Sequence, residues 1–365
     1  IAASLPNVPM RKALGKGEGS VNLIVWAGYA ENGSNDKTVD WVNPFTKATG
    51  CKVNAKTAGT SDEMVSLMKT GGYDGVSASG DASLRLIYGG QVAPVNTALV
   101  SNYTTISSFL KNQTWNSVNG VMYGIPHGWG ANVLAYNPAK VKKPTSWSVV
   151  FEANSPYKGK ITAYDSPIYI ADAAMYLMKK NPSLGIKNPY ALDTKQLAAA
   201  VDVLKTQKKI IGEYWSDYTK SVQSFESTNT LLGSSWQVIA NTINGGKKVK
   251  VESTVPAEGA TGWSDTWMIS SKAKHPNCMY QWMNWISSPK VNAQVAEYFG
   301  EAPSQTLACQ QTADKTFCDT YHALDAMYAA KIWYWTTPTT NCVDGRGAIC
   351  TDYAKWTQAW TSVKG

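Results

Sequence analysis

The sequence has few of the features that mark a membrane-spanning chain or an enzyme. It contains no run of the roughly 18–20 consecutive apolar residues that a transmembrane helix needs. Its histidines, His127, His275 and His322, lie near no cysteine, serine or carboxylate pattern typical of catalysis. The glycine-rich segment GKGEG at residues 15–19 lacks the Lys-Ser or Lys-Thr pair of a phosphate loop. A non-enzymatic protein without a cofactor is therefore expected.

Internal repeats and low-complexity segments are also missing, which argues against a solenoid. With 365 residues, the chain exceeds the size at which one hydrophobic core usually stops growing, so two domains are expected. It is 44% hydrophobic and 16% charged, with 15 Trp and 19 Tyr, which excludes disorder for most of its length. The net charge of +8 comes from scattered residues, so we expect a solvated surface and no nucleic-acid partner.

The cysteine count is even, and the spacing is not that of a zinc site. The cysteines are Cys51, Cys278, Cys309, Cys318, Cys342 and Cys350. Disulfides in an exported protein fit better than the alternative of six free thiols in a cytosolic protein, although no export signal is visible. Proximity favours bridges 309/318 and 342/350, which leaves 51 for 278.

Short strands alternate with helices along the chain. VNLIVW at residues 21–26 predicts a buried parallel strand, and CKVNAKT predicts a second one. Thr60 and Glu63 have the spacing of a capping box ahead of a helix that Gly71 and Gly72 end. GIPHGWGANVLAYNP, residues 124–138, has the form of a strand that crosses between domains. The alternation predicts an α/β fold.

Candidate binding residues follow the strands, because open α/β sheets bind ligands beyond the carboxyl ends of their strands. Trp26 ends the first strand, and Tyr29 lies in the turn after it, where lining a cleft is about as expected as packing. Ser79 and Asp81 follow the strand YDGV, and Asp81 is expected either to cap the next helix or to face the cleft.

The predicted strand TGWSDTWMIS, residues 261–270, carries the clearest pattern. Trp263, Asp265 and Trp267 project from one face of an extended strand, so two indoles flank a carboxylate. An ammonium group gains about 0.5–2 kcal/mol per aromatic face, and a carboxylate adds a charge-assisted hydrogen bond. Asp165 and Trp236 repeat this combination in the second domain, although a lone Trp is more often core. The pattern predicts a site for an organic cation.

Several of these segments resemble the spermidine/putrescine-binding proteins of bacterial ABC importers, over residues 20 to 305. VNLIVWAGY is similar to that family's first strand with its ligand-stacking Trp, and YDGVSASGD to a strand with a polar contact segment. YGIPHGWGANVLAYN resembles the crossover, SWSVVFEANSPYKGKITAYD the entry into the second domain, and LLGSSW a later Trp-bearing strand. GWSDTWMIS is the strongest match. In that family, the Trp and Asp of this motif hold the ligand's amino group.

The resemblance implies a two-domain periplasmic-binding-protein fold of type II, with a ligand cleft between lobes joined by crossing strands. Residues 1–19 are then an exposed N-terminal leader, residues 20–135 plus 266–310 the first lobe, and residues 136–265 plus 311–365 the second lobe. The expected protein is a monomer in the periplasm or outside the cell, with lipid anchoring left open, and its partners are a polyamine and the ABC permease subunits. The implied ligand-binding residues are Trp26, Tyr29, Ser79, Asp81, Asp165, Trp236, Trp263, Asp265 and Glu301.

The chain departs from the family pattern in two places. Ile168 stands where a spermidine binder's second-domain glutamate is expected, and Glu301 where tyrosine is common. Asp81, Asp265 at the lobe boundary, and Glu301 are then expected on the first lobe's side and Asp165 on the other, which suits a ligand with two or more ammonium groups. The cysteine-rich tail aligns poorly, and it holds three further aromatic candidates, Trp333, Tyr334 and Trp335. Aromatic residues at helical spacing are predicted to be core, namely Trp282, Trp285, Tyr353, Trp356 and Trp360.

Three other functions are weighed against the polyamine hypothesis. The same fold could bind a zwitterionic or quaternary amine, and a ligand carboxylate would need an arginine, for which Arg346 is the candidate. A ferric-iron binder commonly needs adjacent tyrosines, and the sequence has no Tyr-Tyr pair. A secreted carbohydrate-active or sugar-binding protein would also show aromatic rings and paired acids.

Overall fold

The computed structural model describes residues 4–365, which form two compact units. The first unit contains residues 4–130 and 264–329, and the second contains residues 131–263 and 330–365. The chain passes between the units at 130/131 and 263/264, close to the predicted 135/136 and 265/266. The third passage, at 329/330, differs from the predicted 310/311, so residues 311–329 belong to the first unit.

Strands and helices alternate through both units, as expected for an α/β fold. The strands are β1 (Ser20–Val25), β2 (Lys52–Thr57), β3 (Gly75–Ala78), β4 (Ser117–Val118), β5 (Val121–Met122), β6 (Ile125–Ala131), β7 (Val133–Tyr136), β8 (Ile161–Tyr164), β9 (Ile211–Trp215), β10 (Leu232–Ser235), β11 (Glu252–Thr254), β12 (Ala260–Ile269), β13 (Ala302–Pro303) and β14 (Ile332–Tyr334). The α-helices are α1 (Val42–Thr49), α2 (Ser61–Lys69), α3 (Gly80–Tyr88), α4 (Ser148–Phe151), α5 (Ile170–Lys180), α6 (Thr194–Lys208), α7 (Tyr218–Glu226), α8 (Gln237–Gly246), α9 (Pro276–Ile286), α10 (Pro289–Phe299), α11 (Phe317–Thr320), α12 (Ala326–Ala329) and α13 (Tyr353–Lys364).

The main sheet of the first unit has the strand order β13-β6-β12-β3-β1-β2. Strand β1 pairs in parallel with β2 and β3, while β12 runs antiparallel to β3. The central strands are buried on both faces, which explains the apolar run in β1. This order brings the carboxyl ends of β1 and β3 to one edge of the sheet, beside the middle of β12.

The second unit has its own sheet, with the order β11-β7-β10-β8-β9. Strand β8 pairs in parallel with β9 and β10, and β7 runs antiparallel to β10 and β11. The first residues of β12 pair in parallel with β14 in this unit. Helix α13 contributes buried Trp356 and Trp360, in agreement with the predicted core stripe.

Three disulfides bridge the cysteines in the predicted pairing, Cys51–Cys278, Cys309–Cys318 and Cys342–Cys350. The predicted leader lies partly outside the described residues. Residues 4–19 are mostly exposed, but they are anchored by Glu18, whose carboxylate accepts hydrogen bonds from the backbone N–H groups of Asn277 (3.0 Å) and Cys278 (2.9 Å). A carboxylate is stabilised there because these are the first N–H groups of α9.

Candidate functional site

The end of β1 places Tyr29 inside the first unit. A turn follows Val25, closed by a hydrogen bond from the Tyr29 N–H to the Trp26 carbonyl (3.2 Å). Gly28 in this turn has a φ of +94°, and a Cβ there would approach Phe299 to 3.2 Å. Glycine is therefore required by both conformation and space. The turn directs the Tyr29 side chain inward, where it is fully buried.

The pairing of β12 with β3 places Asp265 beside Ser79. Thr266 pairs with Ala78, so the next residues along the two chains, Asp265 and Ser79, lie side by side at the end of β3. The Ser79 hydroxyl donates a hydrogen bond to Asp265 Oδ1 at 2.5 Å. Both side chains are buried, with 2% and 3% exposure.

Tyr29 joins Asp265 to a second carboxylate, that of Glu301. Its hydroxyl oxygen lies 2.5 Å from Asp265 Oδ2 and 2.9 Å from Glu301 Oε2. A tyrosine hydroxyl has one hydrogen and donates one hydrogen bond, so the other short contact needs a proton on a carboxyl group. We call Tyr29, Ser79, Asp265 and Glu301 the acidic cluster. The two short contacts are both satisfied when one carboxyl group of the cluster carries a proton.

The Glu301 side chain packs against β6 at Gly128. A Cβ on Gly128 would lie 2.6 Å from the Glu301 carboxyl carbon, so only glycine leaves room for this side chain. The Nε2 atom of His127 lies 3.1 Å from Glu301 Oε1, and the His127 ring centre lies 4.3 Å from that of Tyr29. His127 was dismissed by the sequence reasoning, which searched only for catalytic spacing. Its position between small residues in GIPHGWG was the available signal.

Burial dominates the electrostatics of the acidic cluster. Loss of hydration raises the pKa of Asp265 to about 8, against the opposing effect of the hydrogen bonds from Ser79 and Tyr29. The same burial, with the two neighbouring carboxylates, raises the pKa of Tyr29 well above its usual value, so Tyr29 remains a donor. A carboxylate in such a buried position is costly to ionise unless a positive charge lies beside it.

Asp81 lies in the first turn of α3, outside the acidic cluster. Its Oδ1 accepts a hydrogen bond of 2.6 Å from the Ser61 hydroxyl on the neighbouring helix α2. Burial raises the pKa of Asp81 to about 6, partly offset by the charge of Arg85. Of the two readings open from the sequence, this position at the helix N-terminus favours a local role in α3.

Trp26 lines a cavity of about 240 Å³ in the first unit. The cavity is also lined by Glu31, which is 6% exposed, and by Val53 and Thr57 of β2. The indole itself is 6% exposed. An aromatic side chain beside a polar cavity remains compatible with the predicted contact to a ligand.

Asp165 follows β8 in the second unit, where it already has a cationic partner. Lys364 Nζ lies 2.6 Å from Asp165 Oδ2, and the Trp360 indole N–H donates to Oδ1 at 3.0 Å. A ligand ammonium would therefore compete with Lys364 for this carboxylate. Sequence reasoning missed this pair because its partners are 199 residues apart.

Trp236 belongs to a group of packed aromatic rings in the second unit, which it meets edge-on or at a tilt. The Trp236 ring centre lies 4.9 Å from that of Trp215 and 5.3 Å from that of Tyr164. Trp335, one of the further aromatic candidates, stacks on Tyr164 with ring centres 5.6 Å apart. Trp236 is 8% exposed, and Trp263, at the end of the second unit's part of β12, is 6% exposed. Both indoles are thus mostly packed, with a small accessible surface.

Solved structures of similar fold are known. The spermidine/putrescine ABC transporter substrate-binding protein PotD from Streptococcus pneumoniae matches with a TM-score of 0.72 and 19% identity, covering 95% of this chain and 99% of that one. The TpPotD lipoprotein of Treponema pallidum matches with a TM-score of 0.73 and 15% identity, covering 94% and 99%. These similarities show the fold, which is that of a two-domain substrate-binding protein.

The chain belongs to the family of bacterial extracellular solute-binding proteins, whose model matches residues 40–317. The spermidine/putrescine-binding periplasmic protein of Escherichia coli is 26% identical over 307 residues, covering 80% of this chain and 84% of that protein. The putrescine-binding periplasmic protein SpuD of Pseudomonas aeruginosa is 24% identical over 286 residues, covering 74% and 76%.

These matches confirm the predicted family and the two-domain α/β fold. The family's function is solute binding and not catalysis, so the prediction of a non-enzymatic protein is confirmed as well. The family is extracellular or periplasmic, and none of the helices in residues 4–365 has the length and hydropathy needed to cross a bilayer. The assignment of individual ligand-binding residues remains a prediction.

Proposed function

We propose that this protein captures a polyamine of the putrescine or spermidine type and delivers it to the permease subunits of an ABC importer. The observation that carries the proposal is the acidic cluster, in which two buried carboxylates share the hydroxyl of Tyr29. The names of the relatives support the same ligand class, since they bind putrescine and spermidine. We further propose that the protein acts as a monomer without a nucleic-acid partner.

The chemistry of the acidic cluster favours a primary ammonium group as the ligand's anchor. An ammonium group carries three N–H donors, and Asp265 offers a carboxylate whose remaining lone pairs accept them. Hydrogen bonds between charged groups are about twice as strong as neutral ones. In the ionised cluster, the ammonium group takes the place of the carboxyl proton.

The same geometry argues against two alternative ligands. A quaternary ammonium compound has no N–H to donate, so it would leave the Asp265 carboxylate without the hydrogen bond that the cluster offers. A zwitterion would need a cationic partner for its carboxylate, and the candidate Arg346 is instead bound to Asp344 (2.8 Å) and to the Ala191 carbonyl (2.6 Å). The family assignment also replaces the hypothesis of a secreted hydrolase.

Further contacts to the ligand are proposed for the remaining predicted residues. An indole face contributes about 0.5–2 kcal/mol to the binding of a cation. We assign this role to Trp26, Trp236 and Trp263. Asp165 is proposed to receive a second ammonium group after Lys364 releases it.

Calorimetric titration tests the proposal directly. Putrescine, spermidine, a zwitterionic amine, a quaternary amine and a sugar would be titrated into the wild type and into Asp265→Asn. Exposed Asp202 on α6 provides a matched control, Asp202→Asn. We expect polyamines alone to bind the wild type and the control, and Asp265→Asn to weaken binding by at least about 30-fold, because one partner of a buried charge pair is removed. The proposal fails if no amine binds.

A further inference from the structure

A chain of buried hydrogen bonds runs through the second unit from Trp236 to Asp172. The Trp236 indole N–H donates to Asn132 Oδ1 at 3.1 Å, and the Asn132 amide donates to Thr261 Oγ1 at 2.9 Å. The Thr261 hydroxyl then donates to Asp172 Oδ1 at 2.9 Å. All four side chains are buried, with at most 8% exposure. Neither the sequence pattern nor the resemblance singled out Asn132, Thr261 or Asp172.

Hydrogen-bonding chemistry permits only one direction along this chain. An indole N–H can only donate, so Asn132 must present its oxygen to Trp236 and its NH₂ group to Thr261. Thr261 accepts that hydrogen bond, which leaves its own hydrogen for Asp172. Asp172 ends the chain as an acceptor. Each side chain therefore has its orientation set by the next one. Removing the Thr261 hydroxyl breaks two hydrogen bonds, one with Asn132 and one with Asp172.

These four hydrogen-bonded side chains come from separate parts of the second unit. Asn132 stands between β6 and β7, and Thr261 stands on β12, near the points where the chain enters and leaves the second unit. Their backbones are joined as well, by a hydrogen bond from the Asn132 N–H to the Thr261 carbonyl (2.8 Å). Asp172 lies in the first turn of α5, where the helix dipole favours a carboxylate. The hydrogen bonds thus link the Trp236 indole to the junction of β6 and β7, to β12 and to α5.

We propose that Thr261 and Asp172 are positioning residues that hold the Trp236 indole in its ligand-binding orientation. This inference rests on the proposed function only in taking Trp236 as a ligand contact. Ring packing on Trp215 and Tyr164 restrains the plane of the indole, whereas the hydrogen bond at Nε1 fixes its rotation within that plane. A buried donor without its acceptor is costly, so the indole turns away when the chain is broken.

Two substitutions at Thr261 separate the hydroxyl from its packing. Thr261→Val keeps the shape and removes both links, while Thr261→Ser keeps the hydroxyl and serves as the rescue control. We expect Thr261→Val to raise the dissociation constant of spermidine about fivefold, the effect of one net hydrogen bond, and Thr261→Ser to stay near wild type. In the Trp236→Phe background, which has no indole N–H, Thr261→Val should cause no further loss. Additive losses would overturn the proposal.

A second measurement needs no ligand. In ¹⁵N-labelled protein, the Trp236 indole signal is identified by its absence in Trp236→Phe, and its hydrogen exchange is followed in each variant. We expect faster exchange in Thr261→Val and in Asp172→Leu, and wild-type exchange in Thr261→Ser. Unchanged exchange in both of the first two variants overturns the positioning role. Faster exchange in a protein that binds no amine supports the positioning role and refutes only the proposed ligand.

Discussion

Binding of a polyamine should release a proton, because Asp265 must ionise to pair with an ammonium group. In the ligand-free protein, burial raises the pKa of Asp265 to about 8. At pH 7, a group with that pKa is protonated in about nine molecules of ten, so binding should release about 0.9 proton. The ligand contributes no proton change, since a primary alkylammonium group with a pKa of about 10.4 stays charged at this pH.

The same linkage predicts how affinity depends on pH. Only the ionised fraction of Asp265 binds, so the association constant should rise about ninefold from pH 6 to pH 7 and about fivefold more from pH 7 to pH 8. Titration of putrescine in phosphate and in Tris, whose ionisation enthalpies differ, gives the number of protons from the difference in the observed heat. The control variant Asp202→Asn should show the same proton release as the wild type.

An affinity that is independent of pH between 6 and 8, with equal heats in the two buffers, would refute this reasoning. Proton uptake in place of release would refute it as well. Either result would mean that the Asp265 carboxyl group keeps its protonation state when the ligand binds. The ammonium group would then be held elsewhere.

Three further predictions concern the scaffold. Gly128→Ala should displace the Glu301 carboxylate and lower the free energy of unfolding by about 1–3 kcal/mol. Gly72→Ala, where a Cβ meets nothing within 4 Å, should leave it unchanged, and equal urea midpoints for the two variants would contradict the steric role of Gly128. Burial raises the pKa of Asp81, Asp172 and Asp265, so the folded protein binds more protons than the unfolded chain between about pH 4 and pH 8. The ligand-free protein should therefore lose stability as pH rises through this range, and a rising urea midpoint would disprove this. Replacing Cys51 and Cys278 by serine should cost about 5 kcal/mol in the chain-entropy model, whereas replacing Cys342 and Cys350, which close a short loop, should cost about 2.5 kcal/mol. The reverse order in denaturation would refute the model.

The strand ends of the first unit could be predicted from the sequence because they depend on local pattern. The apolar run of β1 identifies a buried strand, and the rule for open α/β sheets draws attention to Tyr29 and Ser79, which follow strand ends. Asp265 stands out through the alternation within β12 and not through a strand end. Its contact of 2.5 Å with Ser79 follows from the antiparallel pairing of β12 with β3, which local pattern does not specify.

Contacts that depend on long-range register could not be predicted in this way. His127 meets Glu301 only because β6 pairs with β13, and these strands are more than 170 residues apart. The pairing of Asp165 with Lys364 likewise depends on where α13 packs in the second unit. No periodicity in either segment carries this information.

The third passage between the units was misplaced for a related reason. The short helices α11 and α12 have no apolar pattern that would assign them to either unit. They stay with the first unit, where the Cys309–Cys318 disulfide and hydrogen bonds from the backbone of residues 313 and 314 to Glu297 hold the segment. This segment is therefore held by a disulfide and by hydrogen bonds to a carboxylate, and neither gives an apolar periodicity that could be recognised in the sequence.

A crystal structure of the protein with putrescine bound would test the central claim most directly. The account predicts an ammonium nitrogen within about 3.2 Å of an Asp265 carboxylate oxygen, with Tyr29 and Ser79 still donating to that group. A ligand bound away from Asp265, with the acidic cluster unchanged, would contradict it.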